Sequence, residues 1–179
     1  MADLLLHGGT LFTPRDRLDD AWLLIQDRRI AALGQGTPPD APTAQHIDCA
    51  GRLVCPGFVD LHTHGAGGAD LMDAPRDPEA IPTIARNLAA GGTTTFFGTT
   101  VAAPLDETRQ VINASLPFVD TQLEGATLAG LHLEGPFLNV TQCGAHRPEH
   151  LRAPQAKDYA PLLTLLQQRG RHRITAAPE

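Results

Sequence analysis

Two imidazoles, His62 and His64, close the segment Pro56-Gly57-Phe58-Val59-Asp60-Leu61-His62-Thr63-His64-Gly65. Phe58 to His62 reads as a buried-type strand, and side chains at i and i+2 of a strand face the same way. Both rings can therefore converge on one metal ion. The bland alternative is a pair of polar residues at a strand end; the strand context and the surrounding glycines favour the metal. A second segment is Gly130-Leu131-His132-Leu133-Glu134-Gly135-Pro136-Phe137. Glu134 ends a strand at a Gly-Pro turn, where its carboxylate could join the histidines as an oxygen ligand to Zn²⁺ or a similar cation. The other reading is a salt-bridged structural glutamate. His132, on the same face but one layer deeper, reads as a hydrogen-bonded core histidine. The third segment, Asn139 to His146, sits in a long loop, and long loops inside compact domains are usually functional. His146 could hydrogen-bond a substrate oxygen, or be a solvated loop histidine. Cys143 has no evident general base and reads as incidental. His7, His46, His150 and His172 have no context that sets them apart.

The elements that must position these residues follow from the apolar patterning. Leu4 to His7, Thr10 to Thr13, Ala21 to Gln26 and Arg29 to Leu33 read as short strands. Gly8-Gly9, Pro14-Arg15-Asp16 and Asp27-Arg28 separate them as turn signals. After a Gly- and Pro-rich loop over 34–44, His46 to Asp48 and Arg52 to Cys55 read as two more strands. Short strands with tight turns suggest a compact β-sandwich. From Pro56-Gly57 the pattern alternates. The strand ending at His62 is followed by a helix over Pro78 to Ala90, with Ile81, Ile84, Ala85, Leu88 and Ala89 at helical spacing. Gly91-Gly92 caps it. Then come a strand from Thr93 to Gly98, a helix from Leu105 to Phe118, and a strand from Thr127 to Glu134. A loop to about Ala153, a helix from Gln155 to Gln168 and a strand from Ile174 to Ala177 follow. Strands alternating with helices predict a parallel sheet with crossover helices. A (β/α)₈ barrel typically takes about 250 residues, so these four units are expected to be its first half. The division expected is 1–55, part of a small β-sandwich domain, and 56–179, the first four βα units.

Of 179 residues, 42% are hydrophobic and 19% charged, with a net charge of -6. There is no basic stripe, which argues against a nucleic-acid partner. An anionic substrate is still compatible, because a local Arg or helix N-terminus can bind phosphate. Cys49, Cys55 and Cys143 form no CxxC pair, so neither a disulfide framework nor a cysteine zinc site is expected. The start lacks a basic n-region, and no stretch approaches the roughly 20 apolar residues of a membrane span. A cytoplasmic location without membrane contact is the default expectation. The sequons at Asn113 and Asn139 then read as chance matches.

Taken together, PGFVDLHTHG, GLHLEGPFLN and GAH resemble the amidohydrolase superfamily, and within it the N-acetylglucosamine-6-phosphate deacetylases; GGTTTFFGTT and ITAAPE fit as well. The resemblance implies an α/β fold, a metal-dependent TIM barrel, with the β-rich N-terminal segment joining C-terminal strands in a small sandwich. It implies hydrolysis of the N-acetyl group of a phosphosugar, N-acetylglucosamine 6-phosphate, to glucosamine 6-phosphate and acetate. Glu134 would be the metal-binding glutamate, His62 and His64 the pair that supplies a second metal position in some members, and Ala145 and His146 the substrate-contacting pair. The cofactor would be one or two divalent ions, Zn foremost, with Fe, Co or Mn as alternatives. The complete enzyme would be a homodimer. Two further metal histidines and an acid/base aspartate are expected in the second half of the barrel; neither Asp60 nor Glu179 is assigned those roles. Asp60 shares the parity of His62 and His64, which would place it inside the barrel below the site. A dihydroorotase- or hydantoinase-like relative would carry a bridging lysine at the end of the fourth strand, and Arg173 to Glu179 contains none. A third reading is a non-catalytic fragment that needs a second chain.

Overall fold

The computed structural model describes residues 3–179, which fall into two compact units, one ending at Pro56 and one beginning at Gly57.

In the first unit, β1 (Leu4–Phe12) is central. It pairs antiparallel with β2 (Arg17–Gln26) and parallel with β4 (Gln45–Asp48) and β5 (Leu53–Val54); β3 (Arg29–Gln35) lies antiparallel against β2. The Gly8-Gly9 break expected between two strands is instead a bulge within one. The register with β2 slips around Gly9, and Gly8 takes φ +76°. A left-handed glycine lets a strand absorb an extra residue without ending. Leu5, Leu11, Ala21, Leu23 and Cys49 are buried, whereas Ile30, Leu33 and Leu53 are exposed. The described strands of this unit form one five-stranded sheet.

In the second unit, β6 (Phe58–Thr63), β9 (Thr93–Thr99), β10 (Thr127–Glu134) and β11 (Arg173–Thr175) form a parallel sheet in the order β11-β10-β9-β6. A small antiparallel pair, β7 (Gly65–Ala66) with β8 (Ala69–Asp70), follows β6. The crossover helices are α1 (Ala80–Ala90), α2 (Leu105–Ser115) and α3 (Ala156–Leu166). Alternation sends Phe96, Leu131 and Leu133 outward from the sheet. They pack with Leu128 against Ile81, Ile84 and Ala85 of α1, Val111 and Ile112 of α2, and Leu162 and Leu166 of α3. Two element ends differ from the sequence pattern. The helix expected to reach Phe118 stops at Ser115 and continues as one 3₁₀ turn, Leu116–Phe118, because Pro117 has no N–H to extend the α-helical ladder. The last strand ends at Thr175 rather than Ala177, and the Ala177 N–H goes to Phe137 C=O in the loop after β10.

The opposite face of this sheet is concave. Four strands in a flat sheet would hold β6 and β11 about 14 Å apart. Yet Arg173 Nη1 on β11 donates to Leu61 C=O on β6 at 2.9 Å. An α/β unit whose parallel sheet curls in this way fits part of a (β/α)₈ barrel.

Candidate metal centre

Three polar side chains gather at the C-terminal ends of the strands. His62 ends the apolar run of β6, His64 follows one residue past the strand, and Glu134 is the last residue of β10. His62 Nε2 and His64 Nε2 lie 3.4 Å apart, and Glu134 Oε2 lies 3.2 Å from the first and 3.3 Å from the second. Zinc bonds of about 2.0–2.2 Å in tetrahedral geometry place ligand atoms about 3.3–3.5 Å from one another. The trio therefore already has the edge lengths of three vertices of a metal tetrahedron. Among the described residues it is the group of His, Cys, Asp and Glu side chains that could hold an ion.

Backbone partners decide which ring nitrogen is free. His64 Nδ1 is 3.1 Å from Thr99 C=O. A carbonyl only accepts, so Nδ1 carries the proton, and the neutral ring presents its Nε2 lone pair to the cluster. His146 is the mirror case. Ala102 N–H donates to its Nδ1 at 3.1 Å, so Nε2 carries the proton, and Nε2 lies 3.5 Å from Glu134 Oε2. His146 is thus a hydrogen-bond donor facing the carboxylate, not a lone pair offered to an ion. The loop after β10 brings it there: Asn139 caps a 3₁₀ turn, Val140–Gln142, through Thr141 N–H, and the chain returns toward the strand ends.

His132 forms the floor. It is buried between two threonines, with Nδ1 3.2 Å from Thr99 Oγ1 and Nε2 2.8 Å from Thr175 Oγ1. Its ring stands edge-to-face with that of His62 at 4.8 Å. Burial first, and then the Arg173 guanidinium, push its pKa down to about 4, so it is neutral at ordinary pH. The reading of His132 as a hydrogen-bonded core histidine agrees with this placement.

A cavity of about 480 Å³ opens above the trio, lined in part by Leu138, Cys143, Ala145 and His146. A second, of about 340 Å³, shares Val101, Ala145 and His146 with it and includes Met72, Glu107, Arg147 and His150. Asp60 does not aim its carboxylate at the cluster; Oδ1 accepts the His62 N–H at 3.0 Å. Glu179 bonds Asn139 Nδ2 in the loop, which holds its carboxyl below the usual range. His172 latches the sheet: its Nδ1 accepts the Leu131 N–H. Thr99, Thr175 and Arg173 carry no sequence signal of their own. Only their neighbours in space single them out.

With this geometry in place, the comparisons with known proteins are specific. A family model described as the amidohydrolase family matches residues 53–171. The human N-acetylglucosamine-6-phosphate deacetylase is 32% identical over 179 residues, covering 99% of this chain and 39% of that protein. An Escherichia coli N-acetylgalactosamine-6-phosphate deacetylase is also 32% identical, over 98% of this chain and 44% of its own length. A solved N-acetyl-D-glucosamine-6-phosphate deacetylase from Mycobacterium smegmatis superimposes with TM-score 0.80 at 32% identity, covering 98% of this chain and 47% of that one. The chain spans about two fifths of the length of the curated relatives it matches.

Proposed function

The chain belongs to the amidohydrolase family, and on that footing we propose that it forms the metal-binding front half of an enzyme that hydrolyses the N-acetyl group of N-acetylglucosamine 6-phosphate. The products are glucosamine 6-phosphate and acetate. The observation that carries this reading is the set of 3.2–3.4 Å spacings among His62 Nε2, His64 Nε2 and Glu134 Oε2. These three residues would hold a divalent ion, Zn²⁺ by the preference of two imidazoles and a carboxylate. Such an ion, when bound, polarises an amide carbonyl and lowers the pKa of a bound water toward neutrality.

The rest of the work falls to this chain's own side chains. His64 is held by Thr99 C=O with its lone pair toward the cluster. His146 presents an N–H to Glu134 and to any substrate oxygen placed beside it, and Ala145 adds only a methyl group to the cavity lining, which leaves room for the sugar. The relatives include both glucosamine- and galactosamine-phosphate deacetylases, so the acetamido group and phosphate define the substrate class. The complete barrel would supply the remaining metal histidines and the acid/base aspartate. It would also cover the open edges of β6 and β11, where Phe58, Val59, Leu61 and Ile174 are exposed. Further strands would make a sandwich over Ile30 and Leu33. A cytoplasmic homodimer is the form expected of the whole enzyme.

The test is acetate release from N-acetylglucosamine 6-phosphate by the zinc-loaded protein, with intact mass establishing which polypeptides are present. Release that requires metal and disappears in Glu134→Gln supports the proposal. Metal bound by the three residues with no release from either the gluco or the galacto substrate removes the assigned activity. That second result would leave the fragment reading, in which the chain needs a second polypeptide to act.

A further inference from the structure

We propose that Asp60 and Arg173 are positioning residues that clamp the peptide unit between Leu61 and His62, and so set where His62 stands in the cluster. This rests on the metal-site reading above. β6 pairs with β9 at Asp60 and again at Thr63, and the register slips between them, leaving Leu61 and His62 without partners in that ladder. The peptide joining these two residues carries the Leu61 C=O and the His62 N–H. Asp60 Oδ1 accepts the N–H at 3.0 Å, and Arg173 Nη1 donates to the C=O at 2.9 Å. Both poles of one peptide plane are held by charged groups, whose hydrogen bonds are stronger than those of neutral partners.

The clamp answers a deficit specific to His62. A histidine that ligates a metal almost always donates its second ring nitrogen to a carbonyl, carboxylate or water, which fixes the ring. His64 has such an anchor in Thr99 C=O. Among the described residues, the polar partners of the His62 ring are His64 and Glu134, both in the cluster itself. With no protein hydrogen bond behind the ring, only the edge-to-face contact with His132, the orientation of His62 leans on its backbone. The tilt of the 61–62 peptide plane aims the Cα–Cβ bond. Because Arg173 lies on the last strand of the sheet and His62 on the first, His62 is set only once β11 has joined.

The experiment is a calorimetric titration of the chain with Co²⁺ alone, comparing wild type with Asp60→Ala, Asp60→Asn, Arg173→Met and Arg173→Lys. Removing either pole should weaken Co²⁺ binding about 10–100-fold, the usual effect of losing an outer partner of a ligand. Asp60→Asn keeps an acceptor oxygen and Arg173→Lys keeps a donor, so each should retain more affinity than its truncated counterpart. Melting the metal-free proteins separates a purely structural role: lowered stability with unchanged Co²⁺ affinity overturns the proposal. If Asp60→Ala does not fold, Arg173→Met carries the test, since its side chain lies at the open concave face. A wild type that binds no Co²⁺ removes the metal-site reading and the clamp with it. A wild type that binds, with every variant binding equally, overturns the clamp alone.

Discussion

Replacing Thr99 by Val isolates one hydrogen bond beneath the cluster. Thr99 is fully buried, and Val fills nearly the same volume, so little cavity is created. What disappears is Oγ1, which lies 3.2 Å from His132 Nδ1 and 3.5 Å from Phe97 C=O. His132 is only 1% exposed, so its Nδ1 has no water to turn to. Orphaning a buried polar atom costs about 1–3 kcal/mol. The bond from Thr175 to Nε2 at 2.8 Å survives and keeps the ring in place, which puts the expectation near the middle, about 2 kcal/mol. Thr99→Ser is the control. It keeps the hydroxyl and loses a methyl, at a cost of about 1 kcal/mol. Urea unfolding of the metal-free protein, followed by circular dichroism, should order the stabilities as wild type, then Ser, then Val. Because His64 bonds the Thr99 carbonyl and not its side chain, metal affinity should change much less than stability. A Val variant as stable as the Ser variant would refute the reasoning, since the hydroxyl would then contribute nothing to holding His132.

Three further outcomes are expected. Glu134→Gln keeps the shape of the side chain but removes the anionic ligand, so Zn²⁺ or Co²⁺ affinity by calorimetry should fall by more than about 100-fold, beyond the 10–100-fold of an outer partner. Gly130→Ala should destabilise the second unit by on the order of 3 kcal/mol or more in urea, because its Cβ would stand 1.5 Å from the Arg171 carbonyl oxygen; a mild effect would mean that the 169–172 loop moves easily. His132 makes the metal-free protein sensitive to acid. Its folded pKa is lowered to about 4 from an ordinary 6.5, so between those values the unfolded chain binds a proton that the folded one does not. Stability is therefore highest above about pH 6.5 and falls toward pH 4, and His132→Gln should lose less over that window; equal slopes would contradict it.

The sequence itself contained the strand–helix alternation from Phe58 onward, because each element carries its own period: buried runs for β9 and β10, and Ile81, Ile84 and Ala85 at helical spacing for α1. It also contained the metal candidates, since His62, His64 and Glu134 are unusual residue types at strand ends beside glycines. Its error in the first unit was local: a Gly-Gly pair signals a turn and a bulge alike, and only the long-range pairing of β1 with β2 distinguishes them. The roles of Thr99, Thr175 and Arg173 were invisible for the same reason. A threonine that holds His132, or an arginine that holds the 61–62 peptide, is defined by a partner 33, 43 or 112 residues away. The tautomers of His64 and His146 likewise depend on whether a carbonyl or an amide faces Nδ1, and that is set by how the strands and loops come together. Local chemistry names the residues able to bind a metal; the tertiary structure decides which lone pairs face it.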